Sequence, residues 1–301
     1  SWGGAERGFV RAAQKTGTKA AVLATFADTI TESVAVRLME QGVALLAGID
    51  TGVAGIQAAV DVGTAWSRSP SPPLLANFGH RLESPGKVLN EAESKNFLSR
   101  YGIQVPVGRV VQNAPEAVNA AGDLGYPVVI KALGVSHKTE VGGVRLGLGS
   151  ADEVIAAVTE MSKLSRSFLI EKMIDGVVAE LIVGVVRDEQ FGPYLLLGGG
   201  GILVELMKDS ASLLLPATRQ QILHALSKLK CAPLLNCFRG CPPADLKAAA
   251  DIILAVADIV ENDPSAINEL DINPLMVLAE GQGAVAADAL ICLERTQTNE
   301  I

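Results

Sequence analysis

Alternating apolar and polar segments define a short amino-terminal part of the chain. Apolar runs at 20–25 and 43–46 predict strands, and the segments 29–41 and 52–62 predict helices. Thr29 and Glu32 have the spacing of a capping box at the start of the first of these helices. This alternation predicts a right-handed βαβα unit with a parallel sheet. Because two strands cannot bury both faces of such a sheet, we expect the rest of a doubly wound domain to be missing or supplied by another chain.

A segment rich in proline and serine, residues 67–87, predicts an extended linker before the main part of the chain. After the linker, short apolar runs again alternate with amphipathic segments. They predict strands at 107–111, 127–130, 144–148, 168–174, 177–187, 194–197 and 266–278, and helices at 91–101, 115–124, 151–164, 218–230 and 244–262. The stretch up to about residue 168 is typical of a compact α+β lobe.

The main candidate chemistry lies in residues 125–148. A buried strand ends at Lys131, a loop with His137 follows, and the glycine pair Gly142 and Gly143 precedes the next strand. Glycines let backbone N–H groups approach oxygen atoms closely, and lysine supplies a point charge. A neutral imidazole is a nucleophile that can attack phosphorus. Together these residue types predict a site that handles phosphate.

A second candidate for anion binding is a run of consecutive glycines directly after an apolar strand. Its members are Gly198, Gly199, Gly200 and Gly201. Such runs serve either as structural turns or as loops whose N–H groups bind anions, and the position after a strand favours the anion-binding loop.

Oxygen ligands for a metal follow from the strand at 266–278. Period-two alternation places Glu269, Asp271 and Asn273 on one face of this strand, and Asp288 lies on the next strand. Carboxylates and an amide carbonyl are the ligands that Mg²⁺ prefers beside phosphates. The alternative is an ordinary polar outer face.

Charge and cysteine usage limit the class of protein. The formal net charge is −8, which gives no electrostatic footprint for nucleic acid or an anionic membrane. No apolar stretch is long enough to predict a membrane span. The four cysteines match no common zinc spacing, which favours a reducing cytoplasm. The chain does not begin with Met, which favours a fragment of a longer protein.

Five segments in this order resemble the ADP-forming acyl-CoA synthetases, relatives of succinyl-CoA synthetase. They are LNEAESKNFLSRYGI, YPVVIKALGVSHKTEVGGV, DEQFGPYLLLGGGGILVELMKD, FRGCP and ELDINPL with ADAL. The resemblance implies a mixed α/β and α+β protein whose main part is an ATP-grasp fold, with lobes at 88–168 and 169–297. Residues 1–66 are similar to the second half of the flavodoxin-like parallel α/β domain that precedes this module, and 67–87 is the linker.

The resemblance also implies roles for individual residues. His137 matches the histidine that accepts a phosphoryl group, and Lys131 the lysine that contacts the nucleotide phosphates. The remaining nucleotide-binding positions are Glu171, Lys172, Met173, Ile174, Gly142, Gly143 and Gly198 to Gly201. Asn273 and Asp288 would bind Mg²⁺, with Glu269 and Asp271 as supporting ligands.

The implied reaction joins a small carboxylic acid to CoA with ATP, through an acyl phosphate and phosphohistidine, and yields ADP and phosphate. The family's CoA-binding domain and its first catalytic histidine have no counterpart in this sequence, so CoA would bind mainly to domains absent here. We expect a cytoplasmic protein that forms a homodimer or binds a partner subunit, and that binds no nucleic acid and no membrane. Two alternatives remain: a regulatory ATP-grasp module, as in some lysine acetyltransferases, and an ATP-grasp carboxylate–amine ligase.

Overall fold

The computed structural model describes residues 2–67, 86–135, 138–188, 190–201, 209–236, 240, 242–262 and 267–293. The chain divides into two compact units, residues 1–71 and 72–301. Within the described ranges, every helix is too short or too polar to span a bilayer.

The helices are α1 (Trp2–Thr16), α2 (Glu32–Glu40), α3 (Ile49–Trp66), α4 (Glu91–Arg100), α5 (Ala114–Leu124), α6 (Ala151–Met161), α7 (Arg219–Lys228), α8 (Ala232–Leu235) and α9 (Leu246–Asn262). The strands are β1 (Ala20–Ala24), β2 (Val43–Ala47), β3 (Lys87–Leu89), β4 (Gly108–Val111), β5 (Val128–Ala132), β6 (Val144–Leu148), β7 (Phe168–Lys172), β8 (Val177–Asp188), β9 (Gly192–Gly199), β10 (Ser210–Leu214), β11 (Ile267–Leu278), β12 (Ala284–Ala286) and β13 (Ala289–Leu293).

The first unit contains the parallel pair β1–β2 that the sequence predicts. Val10, Leu38 and Val43 form its small core, so α1 and α2 contribute to the core beside β2. Helix α1 was not among the predicted elements. The predicted capping box is wrong: Thr29 ends a short 3-10 helix, and Thr31 is the residue before α2.

The second unit contains a four-stranded antiparallel sheet in the order β4-β7-β5-β6. Helices α5 and α6 pack on it, and their small apolar residues meet a buried strand surface that includes Ile130, Phe168 and Ile170. All five residues of β5 are buried, and four of them are apolar. Lys131 is therefore a charged residue inside a core strand.

The larger sheet has seven strands in the order β10-β9-β8-β11-β13-β3, with β12 paired to β11. The apolar face of α9 covers this sheet, and Ile253, Val256 and Val260 are each fully buried in the shared core. The two long strands β8 and β11 pair with each other near the centre. This sheet and its helices form the larger core of the unit.

Two strands pair in a different sheet from the one that the predicted lobe limits imply. Strand β7 pairs with β4 and β5 in the four-stranded sheet, although residues 169–172 were expected in the second lobe. Strand β3 pairs with β13 in the seven-stranded sheet, although residues 88–89 were expected in the first. Helix α4 follows β3 directly, so it is positioned to connect the two sheets.

Candidate active site

A ring of buried charges lies where α4 meets the four-stranded sheet. Its carboxylates are Glu91 and Glu171, which are 6% and 2% exposed, and its ammonium groups are Lys95 and Lys131, at 4% and 7%. Glu91 and Lys95 lie one turn apart on α4, whereas Lys131 comes from β5 and Glu171 from β7. Asn90 starts α4 with a capping box, in which its side chain accepts from the Glu93 N–H and Glu93 accepts from the Asn90 N–H. The cap thus fixes the helix start that presents Glu91.

Every member of the ring contacts both members of opposite charge. The Lys95 Nζ atom donates to the two Glu171 oxygens at 2.6 and 2.8 Å and lies 2.7 Å from Glu91 Oε1. The Lys131 Nζ atom donates to Glu91 Oε1 at 2.6 Å and lies 3.1 Å from Glu171 Oε2. Opposite charges in such contact offset part of the cost of burying them.

Lys131 also connects the two sheets. Its Nζ atom donates to the backbone oxygen of Ala287 at 2.7 Å, and Ala287 is followed by Asp288 and then by strand β13. An ammonium group has three protons; that of Lys131 donates to Glu91 and Ala287 and lies 3.1 Å from Glu171. A phosphate at Lys131 must therefore share or replace one of these contacts.

The ring shifts the ionisation of its members. Burial alone would raise the pKa of Glu91, but the charges of Lys131, Lys95 and Lys138 outweigh it and hold that pKa well below its ordinary value. Burial would lower the pKa of Lys131, but the charges of Glu91, Glu171 and Asp288 raise it. Glu91 and Lys131 are thus an ionised pair at neutral pH.

A third lysine, Lys138, links this ring to the candidate metal ligands. Its Nζ atom donates to Glu91 Oε2 and to Asp288 Oδ1, the latter at 3.0 Å, and lies 2.8 Å from Asp288 Oδ2. The backbone oxygen of Lys138 accepts from the Gly143 N–H at 2.5 Å. The predicted glycine pair therefore has a structural role: Gly142 has a positive φ of 75°, and Gly143 lies against Lys138. His137 lies outside the described residues.

Hydrogen bonds to neighbouring segments fix the end of β7, the strand that carries the first proposed adenine-binding residues. The Lys172 N–H donates to the Val107 oxygen at 3.0 Å and the Met173 N–H to the Pro127 oxygen at 3.3 Å. The Lys172 ammonium donates to two backbone oxygens, those of Gly125 and Tyr126. Glu171 lies in the charge ring, whereas Met173 and Ile174 follow the end of β7 and are only half-buried.

The four glycines lie at the end of β9 and directly after it. Gly198 and Gly199 belong to the strand, and the Gly199 N–H donates to the Asp209 oxygen at 3.3 Å. The Gly200 N–H donates to the Glu180 oxygen at 2.8 Å, and a Cβ atom at Gly200 would lie 2.9 Å from the Glu180 Cβ. An anion bound here could use these two N–H groups only by breaking their bonds within the sheet.

The alternation predicted for β11 is confirmed by burial. Leu270 and Ile272 are fully buried, whereas Glu269, Asp271 and Asn273 lie on the other face. The Asn273 N–H donates to the Asp288 backbone oxygen at 3.2 Å, which places these two candidate ligands side by side.

The charges around Asp271 suit a cation. Burial, followed by the charges of Glu269 and Asp288, raises the pKa of Asp271 to about 6. Within the described part of the chain, however, no three His, Cys, Asp or Glu side chains are grouped closely enough to hold a metal ion. The donor types fit Mg²⁺, and the Lys138 ammonium already provides one positive charge at Asp288.

Sequence reasoning missed Glu91, Lys95 and Lys138 as members of the site. Their partners lie 40, 76 and 150 residues away along the chain, in Lys131, Glu171 and Asp288. The one local signal was the Glu91–Lys95 spacing of four on a helix, which usually marks an exposed ion pair.

Comparisons with known proteins agree with this architecture. The ATP-grasp domain family matches residues 80–293. The beta subunit of acetate–CoA ligase (ADP-forming) I from Pyrococcus furiosus is 35% identical over 223 residues, which cover 71% of this chain and 95% of that subunit. Acetate–CoA ligase (ADP-forming) I of Archaeoglobus fulgidus is 38% identical over 68% of this chain, and the match spans 31% of that longer protein.

Among solved structures, acetyl-coenzyme A synthetase 1 of Ca. Korarchaeum cryptofilum, in complex with coenzyme A and Mg-AMPPCP, is 36% identical. The TM-score is 0.60, and the match covers 69% of this chain and 93% of that one. Family match, identity and fold agree on the same region. The chain therefore belongs to the ATP-grasp family and, within it, to the ADP-forming acyl-CoA synthetases.

Proposed function

We propose that this chain is the nucleotide-binding, phosphohistidine-carrying part of an ADP-forming acid:CoA ligase. The observation that carries the proposal is the contact of two lysines with the segment between β12 and β13: Lys131 of the four-stranded sheet donates to the Ala287 oxygen, and Lys138 pairs with Asp288. An ATP-grasp protein binds its nucleotide between two such sheets, and this junction brings a buried lysine close to a carboxylate suited to a metal. Coverage of nearly the whole beta subunit from P. furiosus supports the same assignment.

Each proposed residue has a chemical task in the reaction. Lys131 and Lys138 supply positive charge to the nucleotide phosphates, and Met173 and Ile174 hold the adenine. Asp288 and Asn273 hold Mg²⁺, supported by Glu269 and Asp271; when bound, the ion neutralises phosphate charge. A His137 nitrogen attacks the γ-phosphorus of ATP, the bond to the oxygen of the β-phosphate breaks, and ADP leaves. The phosphoryl group then passes to the carboxylate of the acid at the acyl-transfer site and forms an acyl phosphate. The CoA thiol attacks its carbonyl carbon, and phosphate leaves as acyl-CoA forms.

The remaining parts of the ligase lie outside this chain in the proposal. The A. fulgidus relative is a longer single protein, and the P. furiosus relative is a beta subunit. We propose that other domains or a partner subunit supply the CoA site and the first catalytic histidine, and that the protein works in the cytoplasm. The domain limits 1–66, 67–87, 88–168 and 169–297 are part of this proposal. The exceptions are strand β3, which pairs in the seven-stranded sheet, and strand β7, which pairs in the four-stranded sheet.

The test is incubation of the full chain with γ-labelled ATP and Mg²⁺. We expect the wild type to carry an acid-labile, alkali-stable label. Added ADP should remove this label and form labelled ATP, and His137→Ala should carry no label. The matched control is His224→Ala, because His224 is an exposed histidine on α7. It should label like the wild type.

Two outcomes would contradict the proposal. Label that persists in His137→Ala would place the phosphoryl group elsewhere. A wild type that binds MgATP in calorimetry but takes up no label would favour a regulatory nucleotide-sensing module instead.

A further inference from the structure

The proposed chemistry gives no task to Lys95, although this residue is almost fully buried. Among the described contacts, its ammonium meets Glu91 and Glu171, the same two carboxylates that contact Lys131. A buried ion pair is weak evidence for stability, because apolar residues of similar size often stabilise a protein as well or better. The position of Lys95 therefore calls for a role beyond packing.

Glu171 lies closer to Lys95 than to Lys131. Glu171 lies 2.6 and 2.8 Å from Lys95 through its two oxygens but 3.1 Å from Lys131. For Lys131, the Glu171 contact is the longest of three, since Glu91 and Ala287 lie at 2.6 and 2.7 Å. Lys95 thus binds both oxygens of Glu171, and the N–H of Lys131 that faces Glu171 is only loosely engaged.

That loosely engaged N–H is the one that a phosphate oxygen can take at least cost. Without the charge of Lys95, Glu171 would keep only its contact with Lys131 and would draw that ammonium closer, whereas Glu91 would still pair with both Lys131 and Lys138. A more negative environment would also disfavour an incoming phosphate. We propose that Lys95 is a positioning residue, which holds Glu171 so that Lys131 keeps one N–H for a nucleotide phosphate. This inference rests on the proposed function, in which Lys131 contacts the phosphates.

A double-mutant cycle on the full chain tests the inference. The affinity for ADP with Mg²⁺ is measured by calorimetry for the wild type, Lys95→Met, Lys131→Met and the double variant. We expect Lys131→Met to weaken binding about 30-fold, as for loss of a charged hydrogen bond. Lys95→Met should weaken binding about 10-fold. If Lys95 acts through Lys131, the double variant binds within about 2-fold of Lys131→Met.

A second variant tests the same role with no net change in buried charge. Lys95→Met combined with Glu171→Gln removes one charge of each sign, so it leaves no additional unpaired carboxylate. Because the carboxylate that competes for Lys131 is gone, this variant should bind ADP about 3-fold more tightly than Lys95→Met, although Glu171 is itself one of the proposed nucleotide-binding residues. A purely structural role for Lys95 predicts no such rescue.

The outcomes separate this inference from the proposed function. A wild type that does not bind ADP contradicts the proposed function. If the wild type binds ADP, additive losses in the cycle, or no rescue in the paired variant, would overturn the positioning role. Urea unfolding of each variant accompanies the binding measurement, so that a loss of folded protein is not mistaken for a loss of affinity.

Discussion

At the level of single residues, Gly143 determines where Lys138 can lie. A Cβ atom at position 143 would lie 2.9 Å from the Lys138 backbone oxygen and 3.0 Å from its Cβ, and backbone atoms cannot move away cheaply. Gly143→Ala should therefore displace Lys138 from Glu91 and Asp288. We expect about 1–3 kcal/mol of lost stability and an ADP affinity about 10-fold weaker, measured by urea unfolding and calorimetry.

The matched control for this change is Gly122→Ala on helix α5. Nothing lies within 4 Å of a Cβ atom built at Gly122, and alanine favours helix formation over glycine by about 1 kcal/mol. This variant should keep its ADP affinity and be at least as stable as the wild type. Unchanged ADP affinity in Gly143→Ala would mean that the position of Lys138 does not matter for nucleotide binding.

The charged residues of the site were only partly predictable from sequence. Lys131 was found because a lysine after an apolar strand is chemically conspicuous, and Asp271 and Asn273 because a strand alternates with period two. Glu91 and Lys95 were not found. A helix with charges four residues apart usually turns them to solvent, and only the tertiary contact with β5 and β7 buries these two.

At the level of elements, Asp245 ties the start of α9 to the turn between β11 and β12. Its carboxylate accepts from the N–H groups of Ala248 at 3.0 Å, Gly281 at 2.9 Å and Gly283 at 3.0 Å, and the residue is 8% exposed. The Ala248 N–H lowers the pKa of Asp245; burial opposes this shift, and the Gly283 and Gly281 N–H groups add to it. One carboxylate therefore holds a core helix against the central sheet.

The lowered pKa gives this contact a defined pH dependence. The folded state favours the ionised carboxyl, so its stabilisation is fully present above the unfolded pKa of about 3.9 and is lost as the pH falls through the lower folded pKa. We expect Asp245→Asn to lose about 2 kcal/mol at pH 7, because an amide NH₂ cannot accept from these N–H groups. The difference between wild type and variant should shrink below about pH 4.

Urea unfolding of both proteins between pH 3 and 8 measures that difference directly. A difference that stayed constant down to pH 3 would show that the carboxylate charge is not the source of the stabilisation. ADP affinity at pH 7 should be the same in both, since Asp245 is not part of the candidate site.

Most elements of the second unit were predictable because their patterns are local. The apolar run of β5, the alternation of β11 and the periodicity of α9 each identify an element without knowledge of its neighbours. The assignment of strands to sheets was not predictable in the same way. Strands β3 and β7 pair with residues far along the chain, and nothing in their own five or fewer residues specifies the partner.

On the scale of the whole molecule, the first unit exposes more apolar surface than its small core explains. Along α3, Ile49, Val53, Ile56 and Val60 are 48%, 54%, 47% and 55% exposed. Their spacing of four, three and four residues forms a single stripe along the helix, the pattern with which helices pair. The incomplete parallel sheet predicted that another polypeptide segment covers this unit. The exposed stripe on α3 is a specific surface on which that segment can bind.

We predict that a second copy of the chain covers this stripe, since a stripe with this spacing can pair with its own copy across a two-fold axis. Sedimentation velocity should show a dimer that dissociates on dilution. Val53→Lys with Val60→Lys should shift the protein to monomer, because two buried lysines in each helix would repel and lose their hydration. The control is Val36→Lys on α2, an exposed valine of the same unit but outside the stripe, at 49% exposure. A wild type that stayed monomeric at high concentration would contradict self-association and leave a different polypeptide as the partner for this surface.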